Sequence, residues 1–129
     1  MSPIDELVRQ WLRLAEGDMR LAELALSADP PISWGAAFHA QQAPEKLLKA
    51  LLTHHRVEFR KTHNLDYLLE LGVAVEPDVE AFRGAVAKLT DYAVELRYPP
   101  TAPMATASEA LQAIKDVQGF RTFVEDRLR

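Results

Sequence analysis

Gln41 and Glu45 lie one helical turn apart in a stripe of the chain that is otherwise apolar. At about 3.6 residues per turn, Trp34, Ala37, Phe38, Pro44, Leu48, Leu51 and Leu52 share their side of a helix. An unpaired amide or carboxylate in such a stripe is costly to desolvate, so both demand partners. Asp18 occupies a similar place on an earlier stripe, between Trp11 and Ala22, and Arg97 lies one turn beyond Val86, Leu89, Thr90 and Ala93 on a later one. A guanidinium satisfies a buried carboxylate through a bidentate pair. Asp18, Gln41, Glu45 and Arg97 therefore form a candidate constellation, with two readings. An arginine held by acids at the rim of a helical bundle can bind phosphate; the same groups can also be a salt-bridge network that sets helix register. Lys49, one turn after Glu45, joins the candidate phosphate-binding set.

Three histidines, His54, His55 and His63, share the locally basic segment THHRVEFRKTHN with Arg56, Arg60 and Lys61. No nearby acid is spaced i,i+4 from them on a helix and the chain has no cysteine, so no metal site is expected. The segment reads either as a solvated connector or as a phosphate contact. No nucleophile elbow and no glycine-rich phosphate loop is visible.

The elements that must position these residues read as helices throughout. Ser2 and Pro3, with Asp5, open a first helix that runs to about Ala28, with Leu7, Val8, Trp11, Leu14, Ala15, Ala22 and Ala25 inward. Asp29, Pro30 and Pro31 stop it, and Ser33 caps the second helix, antiparallel to the first across a short loop. Pro44 removes the backbone bond to the Ala40 carbonyl and is expected to kink this helix without ending it. A short helix follows from Leu65 to Leu71, ended by Gly72. Pro77 starts another whose inward stripe begins at Val79 and Phe82 and which stops at Tyr98, Pro99 and Pro100. Thr106 and Glu109 form the capping box of the last helix, which buries Ala110, Leu111, Ile114 and Val117. Phe120 and Phe123 fall off that stripe, either to meet another chain or to fold back over the bundle edge.

The whole is a single all-α domain over 1–129, an up-and-down bundle of four to five helices. Its 129 residues are 48% hydrophobic and 26% charged, with a formal net charge of −4. That balance excludes wholesale disorder and an electropositive surface, so contact with a nucleic acid must be local. With no cysteine, no membrane-length apolar run and an acidic start, a cytoplasmic protein with no membrane contact is expected.

The segments AEGDMRLAE, FHAQQAPEKLLKALL, KTHNLDYLLEL and LTDYAVELRYP, in this order, resemble the HEPN domain family (higher eukaryotes and prokaryotes nucleotide-binding) over nearly the whole chain. The resemblance implies a helical bundle that commonly dimerises, a nucleotide or RNA ligand and no cofactor. For small prokaryotic members it also implies a minimal nucleotidyltransferase partner in a toxin–antitoxin pair. Ribonuclease members carry an arginine followed a few residues later by a histidine. Arg97 matches the arginine, but Tyr98 to Met104 contain no histidine, which is the group suited to move protons near neutral pH. Arginine alone can hold the phosphate and stabilise its charge. The resemblance thus assigns Arg97 to binding, with Asp18 and Glu45 orienting it and Tyr98 stacking on a base, and leaves enzymatic activity open. His63 is then the nearest candidate acid/base. Pro44 departs from the family pattern, where a helix former is usual.

Overall fold

A computed structural model describes residues 2–91 and 105–129. Among these residues there are five α-helices, one 3₁₀ turn and no strand: α1 Pro3–Ser27, α2 Ser33–His54, α3 Leu65–Val75, a 3₁₀ segment Pro77–Phe82, α4 Arg83–Thr90 and α5 Ala107–Arg127.

Helix α1 starts in a full capping box, in which the Ser2 hydroxyl accepts from the Asp5 backbone N–H and the Asp5 carboxylate accepts from the Ser2 backbone N–H. The same bonds hold the Asp5 carboxyl below its ordinary value of 3.8. Thr106 and Glu109 repeat the box on α5. The expected cap of α2 is displaced by one residue: Ser33 is the first helical residue and Ile32 stands at the N-cap with no side-chain bond.

Helix α2 is the centre of the molecule. It packs against α1, α3, α4 and α5, and Ala40, Ala43, Leu47, Leu48, Leu51 and Leu52 are all at most 1% exposed. Pro44 is buried within it and the helix continues through to His54. The end of α2 satisfies its last carbonyls by a Schellman arrangement: Arg56 N–H donates to the Thr53 carbonyl at 3.0 Å and Val57 N–H to the Leu52 carbonyl at 2.9 Å. Arg56 takes the left-handed conformation this requires, φ 59°, at a position that glycine usually fills.

Several expected faces are turned. On α1 the buried residues are Val8, Ala15, Met19 and Ala22, whereas Leu7 and Leu14 are 42% and 53% exposed. Residues seven apart stay on one face, so Val8 with Ala15 and Leu7 with Leu14 make two adjacent rows, and α2 covers only the first. Trp34 is 56% exposed at the start of α2, and Leu111 on α5 is 43% exposed. Helix α3 does not end at Gly72 but runs on to Val75, because a Cβ-free position lets Leu48 and Val79 close over it. The segment after Pro77 begins as a 3₁₀ turn and becomes α-helical only at Arg83. Phe120 is 2% exposed and, with Phe123, packs on Phe82 at ring separations of 5.0 Å each, so the two phenylalanines fold back within the chain. Ala93 and the expected helix end at Tyr98 to Pro100 lie outside the described residues.

Candidate functional site

The antiparallel seam of α1 and α2 carries the polar groups that the apolar stripes did not account for. Asp18, on α1, has its Oδ2 2.9 Å from the Lys46 ammonium of α2, with side chains 15% and 18% exposed. The contact is a charge pair rather than an aligned hydrogen bond, and Oδ2 has no hydrogen-bond donor. The Lys46 ammonium also donates to the Gln42 carbonyl oxygen at 3.5 Å.

One turn along α2, Glu45 is buried and bonded on both oxygens. The Lys49 ammonium donates to Oε2 at 3.2 Å, and Nδ1 of His63 lies 2.7 Å from Oε1. The two ends of this chain differ sharply in exposure. Glu45 and Lys49 side chains are each 6% exposed, while the His63 ring is 87% exposed. A carboxylate paired with an ammonium only accepts, so Nδ1 carries the proton and Nε2 of the neutral ring is left with a lone pair. Lys49 also lies over the Trp11 ring, 5.1 Å from its centroid, which adds cation–π attraction inside the seam. The indole Nε1 of Trp11 is buried without a hydrogen-bond acceptor.

The loop that delivers His63 is itself ordered. Arg60 donates its backbone N–H to the Tyr67 hydroxyl at 3.1 Å and stacks its guanidinium 4.1 Å from that ring. Asn64 then caps α3 by accepting from the Tyr67 N–H, which fixes the residue next to His63 at a helix start.

Of the candidates named from sequence, Asp18, Glu45, Lys49 and His63 are thus brought to one seam. Gln41, one turn before Glu45, is buried at 8% exposure and its side chain makes no hydrogen bond to another described residue. Arg97 and Tyr98 lie outside the described residues. The two acids, which had been matched to Arg97, have lysine partners: Lys46 for Asp18 and Lys49 for Glu45. Lys46 and Trp11 were missed as site residues. The i,i+4 spacing of Glu45 and Lys49 was visible in sequence, whereas the pairing of residue 18 with residue 46 needs the register of the α1–α2 hairpin. Among the described residues no group of histidines and acids is placed to hold a metal, and no helix is long and apolar enough to cross a membrane.

Chemically, the seam offers two ammonium groups, each steadied by one carboxylate, and an exposed imidazole oriented by the second carboxylate. Ammonium groups so held can attract a phosphate, and an imidazole so oriented can accept a proton.

Neither a curated protein nor a solved structure shows a significant match to the sequence. The family model of the HEPN domain matches residues 8–127, which takes in all of α2, α1 from Val8 onward, the His63 loop and Arg97, and the chain belongs to the HEPN domain family.

Proposed function

We propose that this HEPN protein binds a nucleotide or an RNA phosphate at the α1–α2 seam, with Arg97 and Lys46 contacting the anion, Tyr98 stacking on a base, and Asp18, Gln41, Glu45 and Lys49 shaping the site behind them. The observation that carries this reading is the Lys49–Glu45–His63 chain, which joins a buried ammonium through a buried carboxylate to an exposed ring. Nearly complete burial of two charges is hard to explain as surface decoration. The wider assignment follows the family: a cytoplasmic, homodimeric single-domain protein paired with a minimal nucleotidyltransferase as a toxin–antitoxin couple.

Calorimetric titration of nucleotides and a short RNA into wild-type and Arg97→Ala protein tests the ligand assignment. Loss of binding in a variant that keeps its helical circular dichroism is the expected result. Equal binding by the two proteins removes the site. Co-expression with a minimal nucleotidyltransferase should give a complex that survives purification, and its absence removes the pairing.

A second reading is favoured by one contact. The 2.7 Å approach of Nδ1 of His63 to Glu45 leaves Nε2 available to take the proton of a ribose 2′-hydroxyl, so the protein would be a metal-independent endoribonuclease. RNA cleavage in the presence of chelator, abolished by His63→Ala, is the outcome that this reading requires.

A further inference from the structure

Helices α1 and α5 each pack on α2 and touch one another only lightly, which leaves a groove between them with α2 as its floor. Its open volume is about 240 Å³. From α1 the groove takes Arg9, Leu12, Arg13 and Glu16, spaced i, i+3, i+4 and i+7, the pattern of one helical face. From α5 it takes Arg121 and Glu125, one turn apart, and Leu47 of α2 lies at the bottom. Guanidinium groups thus outnumber carboxylates along this groove, in a protein whose formal net charge is −4.

The charges in the groove are incompletely paired. Arg121 reaches across it to Glu16 at 3.4 Å and along its own helix to Glu125 at 3.1 Å, and Arg13 turns to Glu6 at 3.2 Å. These pairs stand largely in water, where an ion pair is weakly held. Arg9 is exposed and has no ion pair among the described residues. Asp5, one turn before it, has its carboxylate on the Ser2 backbone N–H. Arg9 and Arg13 are therefore like charges one turn apart, an arrangement that slightly destabilises a helix unless an anion lies between them.

We infer that this groove binds a small phosphomonoester, with the phosphate on Arg9, Arg13 and Arg121 and the organic body on Leu12 and Leu47. Three guanidinium forks supply more donors than one carboxylate can accept, whereas a phosphomonoester offers three oxygens and carries nearly two charges near neutral pH. The apolar floor sets the other half of the ligand, since inorganic phosphate would leave Leu12 wet and an attached ring or alkyl group would cover it. Size limits the body. At about 240 Å³ the groove falls just under the roughly 300–1,000 Å³ of drug-sized pockets, so the ligand is no larger than a fragment and an oligonucleotide does not enter. Glu16 competes with the phosphate for Arg121, and binding would exchange one partner for the other. The groove shares no residue with the α1–α2 seam and does not depend on the assignment made there.

Titration of phenyl phosphate into the full chain near neutral pH, followed by backbone amide NMR, is the test. The amides from Arg9 to Glu16 and from Gln118 to Glu125 should shift saturably. Inorganic phosphate, which lacks the body, and benzoate, which lacks the phosphate, should both bind more weakly. Arg9→Ala and Arg121→Ala should each raise the dissociation constant about tenfold with helical circular dichroism unchanged. Glu16→Gln should lower it, because the competitor for Arg121 is gone. Lys46→Ala and Arg97→Ala should leave it as it is. No saturation by about 10 mM overturns the inference, as do shifts that gather at the α1–α2 seam, benzoate binding as tightly as phenyl phosphate, looser binding in Glu16→Gln, or indifference to both arginine variants. A protein that binds RNA through Arg97 and ignores phenyl phosphate keeps the seam and loses the groove.

Discussion

Glu45 is 5% exposed and is bonded to both the Lys49 ammonium and the His63 imidazole, so its removal is not equivalent to the loss of one surface pair. Glu45→Ala leaves the Lys49 ammonium buried without a counter-charge, and stability should fall by about 3 kcal/mol. Replacing the pair together, Glu45→Leu with Lys49→Met, should recover most of that loss in urea denaturation, because a buried ion pair gains little over apolar groups of similar volume. His63→Ala should cost less than about 1 kcal/mol, since its ring is mostly in water, where a polar contact gains little over hydration. The three variants together separate structure from function. If the double replacement folds well yet no longer binds RNA, the charges are kept for the ligand. Gln41 and Glu45 were recognisable from sequence as polar groups in an apolar stripe. Their partners were not, because i,i+4 spacing offers Lys49 only as one neighbour among several, and Lys46 reaches Asp18 only once two helices are laid side by side.

At the scale of elements, the ends of the helices obey local chemistry and the middles obey packing. The capping boxes at Ser2 and Thr106 could be read directly, as each is set by residues within one turn. Asp5 adds a pH dependence with a definite sign. Its folded carboxyl titrates below 3.8, so the cap is intact above that value and is lost as the pH falls through the folded pKa. Protection of the first-turn amides of α1, measured relative to their intrinsic exchange rates, should therefore fall on acidification below about pH 4, and Ser2→Ala should cost about 1 kcal/mol. The end of α3 was misread because Gly72 stops a helix only when its backbone turns left-handed, and here it stays helical for the sake of contact. An added Cβ would sit 3.1 Å from Cδ2 of Leu48, a side chain with no exposure, so Gly72→Ala should destabilise by about 1 to 3 kcal/mol despite the better helix propensity of alanine. Arg56 presents the reverse case. It holds φ 59° in an exposed position, and Arg56→Gly should raise the melting temperature by a few degrees as about 1 kcal/mol of strain is relieved.

For the whole molecule, the decisive quantity is where charge sits rather than how much there is. With a formal net charge of −4 the protein as a whole repels a phosphodiester backbone, so any RNA affinity must come from a few cations in one place. Several cations are already matched: Arg83 meets Glu70 and Glu80, which push its pKa above the ordinary arginine value, Arg121 meets Glu16 and Glu125, and Arg127 meets Glu76 and Asp78. Lys46 is matched too, but by one acid at the edge of the seam, and Arg56 and Lys61 stand exposed on the loop before His63. A ligand held by so few groups should show a shallow dependence on salt. The slope of log K against log salt for a short single-stranded RNA should be no steeper than about −3, since each phosphate neutralised contributes about −0.7. Lys46→Ala should flatten it by about one such increment, whereas Arg127→Ala, whose guanidinium is tied to Glu76 and Asp78, should leave it unchanged. Isothermal titration across a salt series reads both numbers. A steep slope, or one equally sensitive to Arg127, would mean that RNA spreads over the general surface and that the seam is only a device for packing α1 on α2.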